Sequence, residues 1–292
     1  MTTLEKKSPC KVNLLLNILG KRPDGFHELE TIFHPVNLCD TLSFTKSGTG
    51  VQLTCSDPAL PVDASNLVYR AAREFFECAK FSPGVSIHLK KQIPMAAGLG
   101  GGSSNAAITL LGLNELFGDS VPVVALHKIA ARLGSDVNFF LQNKPALASG
   151  RGEKIEPLED FAAMRGASFL LIHPGFGIST PWAYRELVRF PSALNGKAGR
   201  AQKLVSLLQT QDLVTVGREF YNSLEAPALK KYPVLGMYQE FFRNNGAAAT
   251  LMSGSGSTTF AIFKNQSSAE VVMEKFKASF GDAGWMTVVP VA

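Results

Sequence analysis

Residues 93–107, Ile-Pro-Met-Ala-Ala-Gly-Leu-Gly-Gly-Gly-Ser-Ser-Asn-Ala-Ala, set four glycines and two serines directly ahead of an apolar helical pattern. Glycine reaches positive φ and lets backbone approach a ligand closely, and the first N–H groups of a helix point at bound anions. The run therefore has the chemistry of a phosphate cradle, although the residue types alone fit an ordinary loop and cap as well. A Walker A loop is excluded, because Gly102 is followed by Ser103-Ser104 without the lysine that such a loop needs. Gly98-x-Gly100-x-x-Ser103 is no dinucleotide fingerprint either, since the position about 20 residues on from the motif offers Pro122 instead of an acid. Positive charge for a phosphate must come from elsewhere in the chain.

Other residue pairs carry chemistry by type and spacing. Lys11 and Asn13 alternate onto one face of a strand pattern and can address one ligand, whereas a solvated lysine and a backbone-bonded asparagine are the plainer outcome. Asp136, after Gly134-Ser135 and before Val137-Asn138-Phe139-Phe140, reads in isolation as a helix N-cap. Phe26 and His27 follow the tight turn Arg22-Pro23-Asp24-Gly25 and can offer an aromatic plane and an imidazole to a flat base. A core phenylalanine and a surface histidine fit the same letters. Gly254-Ser255-Gly256 lies between two strand patterns, where its N–H groups can complete an anion site, form a hairpin, or do both. Cys10, Cys39, Cys55 and Cys78 form no C-x-x-C pair, which removes a zinc or redox motif, and reduced thiols are expected, with Cys10 packing in the core.

The elements that must position these residues follow from periodicity. Lys11–Leu19 reads as a strand with Val12, Leu14, Leu16 and Ile18 on a core face and Lys11, Asn13 and Asn17 on a polar one, hairpinned to an extended Phe26–Leu38. Helices are predicted over Asn66–Ala79, Ser103–Phe117 and Val123–Leu133, the last burying Leu126, Ile129, Ala130 and Leu133, with a strand over Val85–Leu89. The charged stretch Arg151–Arg165, interrupted by Pro157, is the expected passage between two domains, 1–158 and 159–292. Beyond it the pattern predicts strands over Phe169–His173, Ala248–Met252, Thr259–Lys264 and Trp285–Val291. Helices are predicted over Lys203–Leu208, Val214–Ser223, Val234–Asn244 and Ser268–Phe280, the last with a capping box from Ser267 and Glu270.

With 292 residues, 46% hydrophobic and 18% charged, the chain can bury two cores. The net charge of +5 suits anionic small molecules, while its scattered lysines and arginines disfavour nucleic acid. The start of the chain lacks a signal-peptide core and the run Val12–Leu19 is short and broken by asparagine, so neither secretion nor a membrane span is expected.

Pro94 to Ala107 resembles the central motif of the GHMP kinases, which phosphorylate small-molecule hydroxyl or phosphate groups with ATP. Pro9-Cys10-Lys11-Val12-Asn13 and Met252-Ser253-Gly254-Ser255-Gly256-Ser257 are similar to two further motifs of that family, in the same order. Arg22 to His27 and Gly134 to Phe140 resemble the branch that acts on diphosphocytidyl-methylerythritol in isoprenoid synthesis. The resemblance implies an α+β amino-terminal domain of ribosomal-protein-like fold and a ferredoxin-like carboxy-terminal domain, and phosphorylation of the 2-hydroxyl of that alcohol. It further implies ATP and Mg²⁺, a small-molecule partner, a monomer or weak homodimer, and a bacterial cytoplasmic location.

By residue, the resemblance makes Lys11 and Asp136 a catalytic pair, with Asp136 as base. Pro94, Met95, Ala96, Ala97, Gly98, Leu99, Gly100, Gly101, Gly102, Ser103 and Ser104, with Asn66, become the nucleotide site. Asn13, Phe26, His27, Thr180, Tyr184, Gly254, Ser255 and Gly256 face the substrate, Tyr184 opposite Phe26. Phe26 stands where tyrosine is common, and Ser135, Asn138 and Ser257 also depart from the usual pattern. A kinase for homoserine, mevalonate or a sugar, or a nucleotide sensor without turnover, are the alternatives.

Overall fold

The computed structural model describes residues 3–81, 83–142, 144–282 and 284–291. It falls into two compact units that share the chain discontinuously. The first comprises Met1–Cys10, Leu38–Ile93 and Gly100–Asn143, and the second Lys11–Asn37, Pro94–Leu99 and Lys144–Ala292. Strands β1 (Thr3–Lys21) and β2 (His27–Ser47) are long enough to serve both.

In the first unit, β3 (Val51–Cys55), α1 (Leu67–Ala79) and β4 (Gly84–Lys90) form a β-α-β segment whose strands lie adjacent and parallel. The far half of β2 pairs antiparallel with β4, Thr41 opposite Lys90 and Ser47 opposite Gly84. Helices α2 (Gly101–Leu116) and α3 (Val123–Leu133) pack on α1, and α3 buries the four residues its periodicity predicts.

In the second unit, β5 (Ala146–Gly150) pairs with the near half of β2, and β6 (Lys154–Pro157) pairs with β5. Part of the segment expected to pass between domains is thus a strand, and residues 144–158 cluster with this second unit. The chain continues through β7 (Ser168–His173), α4 (Thr180–Glu186), α5 (Pro191–Leu194), α6 (Arg200–Thr210), α7 (Leu213–Gly217) and β8 (Tyr221–Asn222). It closes with α8 (Glu225–Lys231), α9 (Pro233–Asn244), β9 (Ala249–Met252), β10 (Thr259–Phe263), α10 (Gln266–Phe280) and β11 (Trp285–Pro290). Strands β11-β7-β10-β9 make an antiparallel sheet on which α9 and α10 pack, a ferredoxin-like arrangement. Its core centres on Phe242, Phe263 and Phe276.

Several elements differ from the periodicity reading, each for a local reason. The polar face of β1 is not solvated: Lys11, Asn13 and Asn17 are as buried as their apolar neighbours, because the chain at Gly98 and at Lys197 lies on that face. Val214–Ser223 is not one helix. At Gly217 a Cβ would sit 2.1 Å from the Ala248 carbonyl oxygen, and Tyr221 and Asn222 leave the helix to pair with Leu15 and Leu16. Helix α10 starts two residues earlier than expected, capped by Asn265 accepting from the Ser268 N–H, while Ser267 hydrogen-bonds the Asn265 side chain at 3.0 Å. The short helices α4, α5 and α8 span one or two turns, too few for a period to register.

Candidate active site

Lys11 is the centre of the second unit's polar cluster. Only 3% exposed, its ammonium donates to Asn13 Oδ1 at 2.7 Å and to the Gly98 carbonyl at 3.1 Å, and it lies 5.4 Å from the centre of the Phe33 ring. An ammonium buried to this degree needs such partners. The main chain fixes the same geometry, since the Lys11 N–H donates to the Leu99 carbonyl at 3.0 Å. Asn13 in turn donates to Thr31 Oγ1 at 2.8 Å, so its amide aims the lysine, and any polyol contact would compete with those bonds.

Residues 94–99 are held from a second side by the loop after β9. Ser253 Oγ donates to the Gly98 carbonyl at 3.0 Å, and the Thr258 N–H donates to the Ala97 carbonyl at 3.2 Å. Gly98 has φ 77°, and a Cβ there would stand 2.1 Å from the Ser253 carbonyl oxygen, so both conformation and packing require glycine. Pro94, Met95 and Ala96 precede this contact, with Met95 41% exposed and Ala96 at φ 51°. Gly254, Ser255 and Gly256 form the expected hairpin, Gly256 N–H donating to the Ser253 carbonyl at 2.9 Å.

The rest of the glycine run belongs to the first unit. Gly100, in the left-handed region, turns the chain into α2, which begins at Gly101, two residues before the expected start. Gly101, Gly102 and Ser103 precede the first intrahelical bond, Ser104 N–H to Gly100 carbonyl, so their N–H groups have no acceptor within the helix. Ser104 is buried, sharing a 2.7 Å hydrogen bond with Ser8, which donates to Asn105 Oδ1 at 2.8 Å. Ser103, next to it, is partly exposed. Asn66 caps α1, accepting from Val68 N–H at 2.9 Å and donating to the Pro61 carbonyl at 2.7 Å. Asp136 is half-buried in the turn between Gly134 and Val137 and is not an N-cap; that position of the following turn is held by Val137.

The Arg22–Gly25 turn closes with Gly25 N–H donating to the Arg22 carbonyl at 3.1 Å, and Phe26 stands 53% exposed. Tyr184 packs against His27, the two rings lying 5.0 Å apart at 36°. His27 Nε2 is buried without a hydrogen-bond partner, and burial, then the charge of Lys21, pulls the imidazole below its usual pKa. A ring nitrogen without a partner can still donate or accept one hydrogen bond. Thr180 shares a 2.8 Å hydrogen bond with Ser255, which joins the start of α4 to the glycine hairpin.

Two family descriptions match the chain, the GHMP kinase N-terminal domain over residues 66–144 and the GHMP kinase C-terminal domain over 204–282. The expected division at 158/159 falls in the stretch between them. A protein of Syntrophus aciditrophicus named 4-diphosphocytidyl-2-C-methyl-D-erythritol kinase is 41% identical, over 90% of this chain and 91% of its own length. One of the same name from Acaryochloris marina is 38% identical over 94% and 92%. This chain belongs to the GHMP kinase family. A solved 4-(cytidine 5'-diphospho)-2C-methyl-D-erythritol kinase superposes with a TM-score of 0.82 at 34% identity, covering 99% of this chain and 100% of that one. A homoserine kinase from Cytophaga hutchinsonii, at 0.76 and 20% identity, shares the fold.

Residue patterns alone passed over two supports of this GHMP kinase's glycine hairpin. Buried Asn222 donates to the Met252 and Gly254 carbonyls, both at 2.7 Å, and accepts from the Leu224 N–H. Glu225 accepts from the Met252 N–H at 2.8 Å and from Gln239, and burial raises its pKa to about 7. The one signal was an asparagine interrupting an apolar helical pattern. Among the described residues no helix is long and apolar enough to cross a membrane.

Proposed function

We propose that this kinase transfers the γ-phosphoryl group of ATP to the 2-hydroxyl of 4-diphosphocytidyl-2-C-methyl-D-erythritol, as its relatives' name describes. The observation that carries the reading is the buried Lys11 ammonium fixed on the carbonyl of Gly98, inside the glycine run. It supplies the cation that the absence of a Walker lysine left open.

In this reading the Gly98–Ser104 backbone and the α2 N-terminus hold the ATP phosphates. Asp136 accepts the proton of the 2-hydroxyl as its oxygen bonds to the γ-phosphorus and the bond to ADP breaks. Lys11 stabilises the charge on the transferring group, aimed by Asn13. Phe26, His27 and Tyr184 read the cytidine, while Thr180 and the Gly254–Gly256 hairpin border the substrate's diphosphate. The N-terminal turn of α2, with the partly exposed Ser103, fits Mg²⁺ held chiefly by phosphate oxygens, an ion that needs few protein ligands. When bound, Mg²⁺ offsets the charge of the β and γ phosphates. The protein acts as a soluble bacterial cytoplasmic enzyme, monomeric or weakly dimeric.

Phosphorus NMR of the product tests the position of transfer. Carbon 2 of the proposed alcohol carries a methyl group and no hydrogen, so the new phosphomonoester is expected as a signal without three-bond proton coupling. A coupled signal, from phosphate on a carbon bearing hydrogen, would overturn the assignment.

A further inference from the structure

The exposed Phe26 ring is not left to solvent on both faces. The Arg151 guanidinium carbon lies 4.6 Å from its centre. Arg151 sits in Gly150-Arg151-Gly152-Glu153, a turn built to hold it: Gly150 has φ 74° and Gly152 φ 102°, and Gly152 N–H donates to the Ser149 carbonyl at 3.1 Å. Glu153 accepts from the Arg151 backbone N–H at 2.6 Å, so its carboxylate fixes the main chain of the turn. The ring is fixed from the other end as well. Phe26 N–H donates to Asp24 Oδ1 at 3.1 Å, and Arg22 bonds both Asp24 and Glu28. The hydrogen bond from Arg22 holds the Asp24 carboxyl below its usual pKa, with the charge of Arg151 contributing.

From this geometry we infer that Arg151 is a positioning and specificity residue for the nucleobase, acting through Phe26. Its planar guanidinium backs one face of the ring, fixes the ring's orientation, and leaves the other face for a flat base. A cation on one face is attracted by the ring's negative quadrupole and so helps hold the ring in place. The inference rests on the cytidine-bearing alcohol being the substrate.

The test is a double-mutant cycle on the full-length enzyme with steady-state kinetics and thermal melts. Arg151→Leu is expected to raise KM for the cytidine-bearing alcohol about three- to tenfold while kcat and KM for ATP stay within about twofold. In a Phe26→Leu background the same change is expected to have no further effect on that KM. Arg151→Lys, which keeps the charge and loses the plane, should fall between. If Arg151→Leu does not fold, Arg151→Gln carries the same cycle. An unchanged KM, or an equal rise without the Phe26 ring, overturns the inference. Wild-type enzyme that ignores the cytidine-bearing alcohol overturns the proposed substrate and this inference with it. A KM that responds to Phe26→Leu but not to Arg151→Leu overturns this inference alone.

Discussion

Lys11 and Gly98 show how the site is made at the scale of single residues. An ammonium buried to 3% exposure is tolerable because Asn13 and the Gly98 carbonyl replace its water, and Gly98 can come that close because it has no side chain. Gly98→Ala would place a methyl 2.1 Å from the Ser253 carbonyl at φ 77°, so the loop must move. We expect that variant to lose at least about 1–3 kcal/mol of stability, read as a lower melting temperature, and most of its activity. A variant with wild-type melting and turnover would contradict the close packing seen at this loop. Asp136→Asn, which keeps shape and removes the proton acceptor, is expected to lower kcat roughly 10²- to 10⁴-fold with ATP affinity largely kept. Near-normal turnover in the folded variant would remove Asp136 as base.

At the scale of elements, much was legible because packing followed pattern. The period of α3 named its buried residues, and the two strands around Gly254-Ser255-Gly256 form the hairpin that their alternation implied. What misled was context. On β1 the alternation of polar and apolar letters suggested a wet face, but the chain at Gly98 and Lys197 covers it and its polar residues bond one another and β2. The capping box at Ser267 and Glu270 was a sound local pattern displaced by a better cap upstream. Asn265→Ala should therefore cost about 1 kcal/mol in chemical denaturation, more than Ser267→Ala. The reverse order would restore the capping box. The Asn222 and Glu225 supports were illegible because their partners, the Met252 and Gly254 main chain, lie about 30 residues away in sequence.

Across the whole molecule, two buried groups set opposing responses to pH. His34, enclosed with Phe161 and Phe169, is pushed by burial down to about 4, so the stability of its neutral form is present above pH 6.5 and lost as pH falls toward 4. Glu225, raised to about 7, contributes stability that is present below pH 4.5 and lost as pH rises through 7. Each amounts to about 3 kcal/mol across its window, so the two largely offset between pH 4.5 and 6.5. Glu225→Gln keeps an oxygen to accept from Met252 N–H and Gln239 and removes the second slope. It should gain melting temperature relative to wild type between pH 5 and 7.5, and a constant difference would contradict the assignment of that slope to Glu225.

The whole chain follows the GHMP kinase plan, and neighbours sharing that fold include a homoserine kinase and a mevalonate kinase, so fold alone leaves the alcohol open. In the proposed reading the residues that choose it are Phe26, His27 and Tyr184. The most direct measurement offers the enzyme ATP, Mg²⁺ and an equimolar mixture of 4-diphosphocytidyl-2-C-methyl-D-erythritol, homoserine and mevalonate, and identifies the phosphorylated products by mass spectrometry. The account predicts phosphate on the cytidine-bearing alcohol alone, and phosphorylation of either of the others at a comparable rate, or ATP binding with no product, would contradict it.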